Sequence, residues 1–125
     1  MATNKDGNLD TIRLVKDRWT LIDFSASYCG YCILGIDKVA ALHQQYEKYV
    51  DFVVLWNDRD QKTWLEYQKE RKEKITWTNL RDPNGSIFKA FEITIFPTYM
   101  LIDPTGKIVK EWRGGKTPAL DKFVN

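Results

Sequence analysis

The chain has 125 residues, of which 43% are hydrophobic, and its 19 basic and 17 acidic residues give a net charge of +2. This length predicts a single domain over residues 1–125 with one buried core. The small, dispersed charge argues against a nucleic-acid partner or a membrane surface, so we expect partners to be recognised at a defined site.

The opening segment shows no targeting or membrane signal. MATNKDGN has neither the basic nor the apolar region of a signal peptide, and no apolar run approaches the roughly 18 residues that a spanning helix needs. From these residues we expect a soluble chain without a signal or anchor. A domain taken from a longer exported or tethered protein would begin with the same kind of charged lead, so both interpretations stay open.

The first half of the chain alternates predicted strands and helices. Residues 19–26 form a short apolar run of β-formers and predict a buried central strand. Apolar residues at three- and four-residue intervals from residue 32 to residue 49 or 50 predict an amphipathic helix of about five turns. A second apolar strand is predicted over residues 51–56, and a charged helix over residues 62–74. This order predicts a parallel βαβ core.

The second half of the chain ends in a predicted hairpin. After residues 75–80 come a turn at 82–85 and a short helix at 86–91. Strands at 97–103 and 107–112, joined by a tight turn, are expected to add to one edge of the sheet and make it mixed. Pro97 at the head of this hairpin marks an edge or special turn where a cis bond is possible, although trans is favoured for the proline alone.

Cys29 and Cys32 are the only cysteines in the chain, so it has no framework of structural disulfides. A cysteine that follows a buried strand at the first turn of a helix meets free backbone N–H groups and the positive end of the helix dipole, which favour its thiolate. Cys32, one turn further on, should be more buried and close enough to attack a mixed disulfide. We therefore predict a redox-active Cys29–Cys32 pair, with Cys29 attacking and Cys32 resolving, that needs no cofactor.

Asp23 lies inside the first apolar strand, where an unpaired carboxylate is costly. Burial should raise its pKa, and the carboxyl could then exchange a proton with Cys32 as a third catalytic residue. Strand alternation could instead point Asp23 to solvent or into a hydrogen bond, and position alone favours neither interpretation.

Other polar and aromatic residues have plainer interpretations. Two cysteines and one histidine cannot complete a four-ligand zinc site without carboxylates or a second subunit, so no metal site is predicted. His43 is expected to pack or to contact the helix dipole. Asn57 and Asp58 should fall at the carboxyl edge of the sheet beside Cys29, a weak sign of a site. Three aromatic residues are expected to pack the segment at 58–91 rather than form a ligand platform: Trp64, Tyr67 and Trp77.

In combination, these residues resemble the thioredoxin superfamily, and more closely its TlpA-like and ResA-like branch of bacterial thiol-disulfide oxidoreductases. The chain carries the cysteine pair as Cys29-Gly30-Tyr31-Cys32, with Asp23 six positions before Cys29. Phe96-Pro97-Thr98 matches the segment that supplies the family's cis-proline, and residues 98–109 resemble its hairpin signature.

The resemblance runs from about Thr11 onward and implies an α/β thioredoxin fold, with a mixed central sheet flanked by helices. Residues 58–91 look like the branch's helix-strand insertion between the CxxC unit and the cis-proline hairpin. The resemblance also implies that Pro97 faces the cysteine pair and that the backbone of Phe96 pairs with a substrate peptide. Three residues around the cysteines complete the expected substrate-binding set: Tyr28, Gly30 and Tyr31.

The same resemblance implies protein disulfides as substrates, a membrane thiol donor, a monomeric state and an extracytoplasmic, periplasmic location in a bacterium. The chain departs from the pattern at four positions, with Tyr28 for tryptophan, Tyr31 for proline, Gly35 for glutamate and Asp37 for proline. In this chain Asp23 would then carry out the proton transfer that the glutamate performs in that branch. Reductase, oxidant and isomerase remain open, as do a non-enzymatic binding or redox-sensing module and a copper- or zinc-handling module.

Overall fold

The computed structural model describes residues 17–124 and, before them, only the backbone of residues 2–4 and 9–10. In chain order the described elements are β1 (Ala2–Asn4), β2 (Leu9–Asp10), β3 (Trp19–Ser25), α1 (Gly30–Tyr46), β4 (Val50–Trp56), α2 (Gln61–Glu70), β5 (Thr78–Arg81), α3 (Ser86–Ala90), β6 (Thr98–Ile102), β7 (Ile108–Arg113) and a short 3₁₀ helix (Leu120–Lys122).

These strands form one mixed sheet in the order β2-β1-β5-β4-β3-β6-β7. The central strands β3, β4 and β5 run parallel, as expected for strands joined through helices. The β6–β7 hairpin adds antiparallel strands beside β3, and β1 pairs antiparallel with β5 on the other side. The predicted α/β class and mixed sheet are confirmed.

The two faces of the sheet are covered by different helices. Alternate residues of β3 point to opposite faces, so Leu21 packs with Val39 of α1, whereas Ile22 packs with Phe88 of α3. On the α1 side, Trp64 of α2 is fully buried among apolar side chains of α1 and β4. Residues 23 and 25 share the face of Leu21, so the side chains of Asp23 and Ser25 lie under α1.

The structure corrects some element boundaries. The helix expected from residue 32 begins at Gly30 and ends at Tyr46, and Tyr49 is exposed between it and β4. The helix expected over residues 62–74 ends at Glu70, where the Arg71 guanidinium stacks on the Tyr67 ring, 3.7 Å from its centroid. Strands β1 and β2 were not predicted, since their short sequences carry no strand pattern. Pairing alone defines them, because β1 pairs with β5 and β2 pairs with β1.

Candidate active site

Cys29 is the N-cap residue of α1. Its backbone is extended, with φ −104° and ψ 115°, and its Sγ accepts a hydrogen bond from the Cys32 backbone N–H at 3.3 Å. The sulfur therefore occupies the position in which a side-chain acceptor satisfies a free N–H of the first helical turn. A negative charge on Sγ is stabilised there by this N–H and by the helix dipole.

Cys32 lies behind Cys29 and is only 1% exposed, whereas Cys29 is half-buried. Burial raises the pKa of the Cys32 thiol well above its ordinary value, and the adjacent Cys29 sulfur raises it further. The Ala26 backbone and the Ser25 hydroxyl act in the opposite direction and lower this pKa. The Cys29 sulfur is thus reachable from solvent, whereas the Cys32 thiol keeps its proton until a base accepts it.

The Phe96–Pro97 peptide bond is cis, as the resemblance implies. It lies across from the cysteines, because the Cys29 thiol donates to the Phe96 carbonyl oxygen at 3.7 Å. The carbonyl of buried Pro97 accepts from the Gly114 N–H at 2.8 Å, which ties this segment to the end of β7. The backbone around Phe96 is therefore held beside the accessible sulfur.

Asp23 is 2% exposed, so the solvent-facing alternative does not apply. Its Oδ1 accepts a hydrogen bond from the Ser25 hydroxyl, and its Oδ2 has no hydrogen-bond partner among the described residues. Burial raises the pKa of this carboxyl to about 7, although the Ser25 hydrogen bond opposes the rise. The expected upward shift is present, and near neutral pH this carboxyl can take up or release a proton.

Two residues beside Asp23 were not predicted as part of the site: Ser25 and Tyr99. Ser25 is fully buried and follows Asp23 by two positions on one strand, so period-two alternation could have placed them together. Tyr99 of β6 pairs with Asp23 in the sheet register, and its hydroxyl lies 2.5 Å from where a Cβ on Gly35 would stand. Tyr99 therefore fills the space above Gly35 and leaves no room there for a larger side chain. The TlpA-like and ResA-like branch has glutamate at this position.

The surface around Cys29 is aromatic and apolar. Tyr28, Tyr31 and Leu34 are 70%, 67% and 68% exposed, and Gly30 between the cysteines is exposed too. A pocket of about 150 Å³ lies beside Tyr31, lined by Tyr31, Leu34, Gly35, Lys38, Tyr99 and residues 115–118. Large exposed apolar side chains grouped around a reactive group are typical of a contact surface.

Other residues that the sequence analysis considered have structural roles in the fold. The Asp58 carboxylate accepts from the Ser27 backbone N–H at 3.0 Å and from the Ser27 hydroxyl, so it fixes the turn that leads to Cys29. The His43 ring packs against Phe52 and Trp77. Among residues 17–124 and the two N-terminal strands, no helix is long and apolar enough to cross a membrane.

Comparison with known proteins identifies the family. The model of the Redoxin family matches residues 1–123. The chain belongs to the Redoxin family. This Redoxin chain is 24% identical over 118 residues to a "Thiol-disulfide oxidoreductase ResA" from Bacillus thuringiensis, an alignment that covers 94% of the chain and 67% of the relative.

Solved structures share the fold of this Redoxin chain. The thioredoxin domain of a thiol-disulfide oxidoreductase from Bacteroides vulgatus superposes with a TM-score of 0.83 at 23% identity, covering 99% of this chain and 91% of that one. An exposed lipoprotein thioredoxin from Streptococcus pneumoniae superposes with a TM-score of 0.74 at 20% identity, covering 90% and 87%. The predicted thioredoxin fold is thereby confirmed.

Proposed function

We propose that the chain is a thiol-disulfide oxidoreductase that reduces or exchanges protein disulfides through Cys29 and Cys32. The observation that carries the proposal is the half-buried Cys29 sulfur, held at the N-cap of α1 opposite the Phe96 carbonyl, with buried Cys32 behind it. Membership of the Redoxin family and the name of the ResA relative support a redox activity of this kind.

In the reducing direction the chemistry has two steps. The Cys29 thiolate attacks one sulfur of the substrate disulfide, which forms a Cys29–substrate mixed disulfide and releases the other substrate sulfur as a thiolate. Cys32 then loses its proton to the Asp23 carboxylate and attacks the Cys29 sulfur, which releases the second substrate thiolate. The substrate gains two electrons, and the cysteine pair becomes a disulfide that an external dithiol must reduce.

The reverse sequence oxidises a substrate dithiol, and the reduction potential of the pair decides which direction prevails. Burial raises the pKa of Cys32, so its thiolate does not stabilise the reduced pair, and a pair whose reduced form is less stabilised is the stronger electron donor. We therefore propose the reductase direction, with exchange of incorrect disulfides as the alternative.

Substrate binding in this proposal uses the backbone beside the cis bond. An extended peptide that pairs with Phe96 would bring its disulfide to Cys29, because the Phe96 carbonyl is 3.7 Å from that sulfur. Tyr28 and Tyr31 would pack on the flanking side chains of the substrate, since both rings stand exposed on either side of Cys29. Pro97, buried at the head of β6, would shape the opposite wall.

The cellular setting is proposed from the relatives. The Streptococcus pneumoniae neighbour is an exposed lipoprotein, which supports an extracytoplasmic location for this chain. Reducing equivalents there would come from a membrane thiol donor, and we propose that the chain acts as a monomer.

Insulin reduction tests the proposed activity. With dithiothreitol as electron donor, the wild-type protein should accelerate precipitation of the insulin B chain, and Cys29→Ser should fall to the rate of dithiothreitol alone. Tyr49→Phe, at an exposed position after α1, is a matched control that should keep full activity. A wild-type rate equal to background would contradict the proposal and favour a non-enzymatic binding or redox-sensing module.

A further inference from the structure

Asp23 is hydrogen-bonded to a second buried polar side chain under α1. The Ser25 hydroxyl donates to Asp23 Oδ1, and both side chains lie on the face of β3 that α1 covers. Cys32 is a buried residue of α1, the helix that covers this face, and the Ser25 hydroxyl and the Ala26 backbone both act to lower the pKa of its thiol. Of these two groups, Ser25 is the one that also bonds to Asp23, so it neighbours both the carboxyl and the resolving cysteine.

We propose that Ser25 relays the proton between Cys32 and Asp23 during resolution of the mixed disulfide. This inference rests on the proposed function. As Cys32 attacks the Cys29 sulfur, its thiol proton passes to the Ser25 oxygen while the Ser25 hydroxyl proton passes to Asp23 Oδ1. The step leaves a Cys29–Cys32 disulfide, a free substrate thiolate, an unchanged Ser25 hydroxyl and a protonated Asp23.

Other groups facing this cluster are poor proton acceptors. Tyr99 from β6 faces Asp23 and both cysteines, and burial raises its pKa far above neutrality. Tyr67 from α2 faces Cys32 and Asp58, and burial raises its pKa to about 12. Both phenols hold their protons near neutral pH, and both Asp58 oxygens are engaged by Ser27. Asp23, reached through Ser25, is the acceptor that remains in the described structure.

The burial of Ser25 also favours a relay over a water-filled path. Ser25 is 0% exposed and Cys32 is 1% exposed, so bulk water does not reach the thiol from this side. A hydroxyl that is both donor and acceptor can pass one proton on while taking another, which alanine cannot do. Removing Ser25 would leave the Cys32 thiol separated from Asp23 by a small apolar gap.

Single-turnover kinetics with dithiobis(nitrobenzoate) separates the two steps, because each releases one coloured thionitrobenzoate. Ser25→Ala should leave the first release, by Cys29 attack, at the wild-type rate and slow the second release by about tenfold to a hundredfold. Ser25→Thr keeps a hydroxyl and should restore most of the second rate. Asp23→Asn should slow the second release to a similar extent, and the double variant should be no slower than either single variant.

A measurement on the wild-type protein guards against loss of folding in the variants. The rate of the second release is measured in mixtures of light and heavy water and plotted against the deuterium fraction. Because two protons move together, the points should fall on a curve that lies below the straight line joining the two pure solvents. A straight line, an unchanged second release in Ser25→Ala, or multiplied effects in the double variant would overturn the relay. Failure of the first release at Cys29 would instead contradict the proposed function itself.

Discussion

Replacing Asp23 by asparagine should make the folded protein less sensitive to pH. Asparagine keeps an oxygen for the Ser25 hydroxyl at Oδ1 and has nearly the same volume, so the substitution removes mainly the ionisable group. Asp23 is buried, and its pKa is raised from 3.8 to about 7 by that burial. Between pH 3.8 and about pH 7, Asp23 therefore keeps a proton in the folded state that it has lost in the unfolded state.

The stability of the wild type therefore falls as pH rises across this window, because the folded state binds more protons than the unfolded state. A shift of roughly three pH units at ~1.4 kcal/mol per unit amounts to about 4 kcal/mol, reached once pH exceeds the folded pKa. The loss begins near the unfolded pKa and levels off above neutrality. At low pH Asp23 is protonated in both the folded and the unfolded state, and this contribution vanishes.

Urea unfolding of the reduced proteins measures the difference directly. The free energy of unfolding of Asp23→Asn minus that of the wild type should rise from near zero at about pH 4 to as much as about 4 kcal/mol at about pH 8. Asp37→Asn, which removes an exposed carboxylate of α1 that pairs with Lys74, is the control and should show little such trend. A pH-independent difference for Asp23→Asn would refute the assignment of a buried, protonated carboxyl.

Two further substitutions test the packing that supports the site. Gly35→Ala should destabilise the wild type by about 1–2 kcal/mol, because its Cβ would stand 2.5 Å from the Tyr99 hydroxyl. In a Tyr99→Phe background the same change should become neutral or stabilising, as alanine favours helix over glycine, and an unchanged penalty in the urea midpoint would contradict this contact. Asp82→Ala should cost about 2 kcal/mol, since the buried Asp82 carboxylate accepts from the backbone N–H groups of Ile87 at 2.8 Å and Phe88 at 3.1 Å. Calorimetry that finds an unchanged melting temperature would exclude that role.

Local patterns were enough to predict the strand and helix around the cysteines. Residues 19–26 and the body of α1 follow from apolar runs and periodicity, so the placement of Cys29 near the helix start and the burial of Cys32 could be expected. The raised pKa of Asp23 also followed from its position in an apolar strand. These features depend on residues that are neighbours in the sequence.

Contacts between distant segments could not be predicted in this way. Strand β1 is defined by its pairing with β5, which lies more than 70 residues later in the chain, and a short polar sequence gives no sign of that pairing. Tyr99 meets Asp23 through strand register and fills the space above Gly35 through tertiary packing. The end of α2 at Glu70 is likewise set by tertiary context, because the charged residues that follow are good helix formers by composition.

Trapping of the mixed disulfide tests the division of roles between the two sulfurs most directly. Reduced Cys32→Ser and Cys29→Ser proteins would each be mixed with a disulfide-bonded peptide and analysed by mass spectrometry. We predict that Cys32→Ser accumulates a peptide adduct on Cys29, and that Cys29→Ser, whose remaining thiol is buried, stays unmodified. An adduct that forms on Cys32 and not on Cys29 would contradict the account.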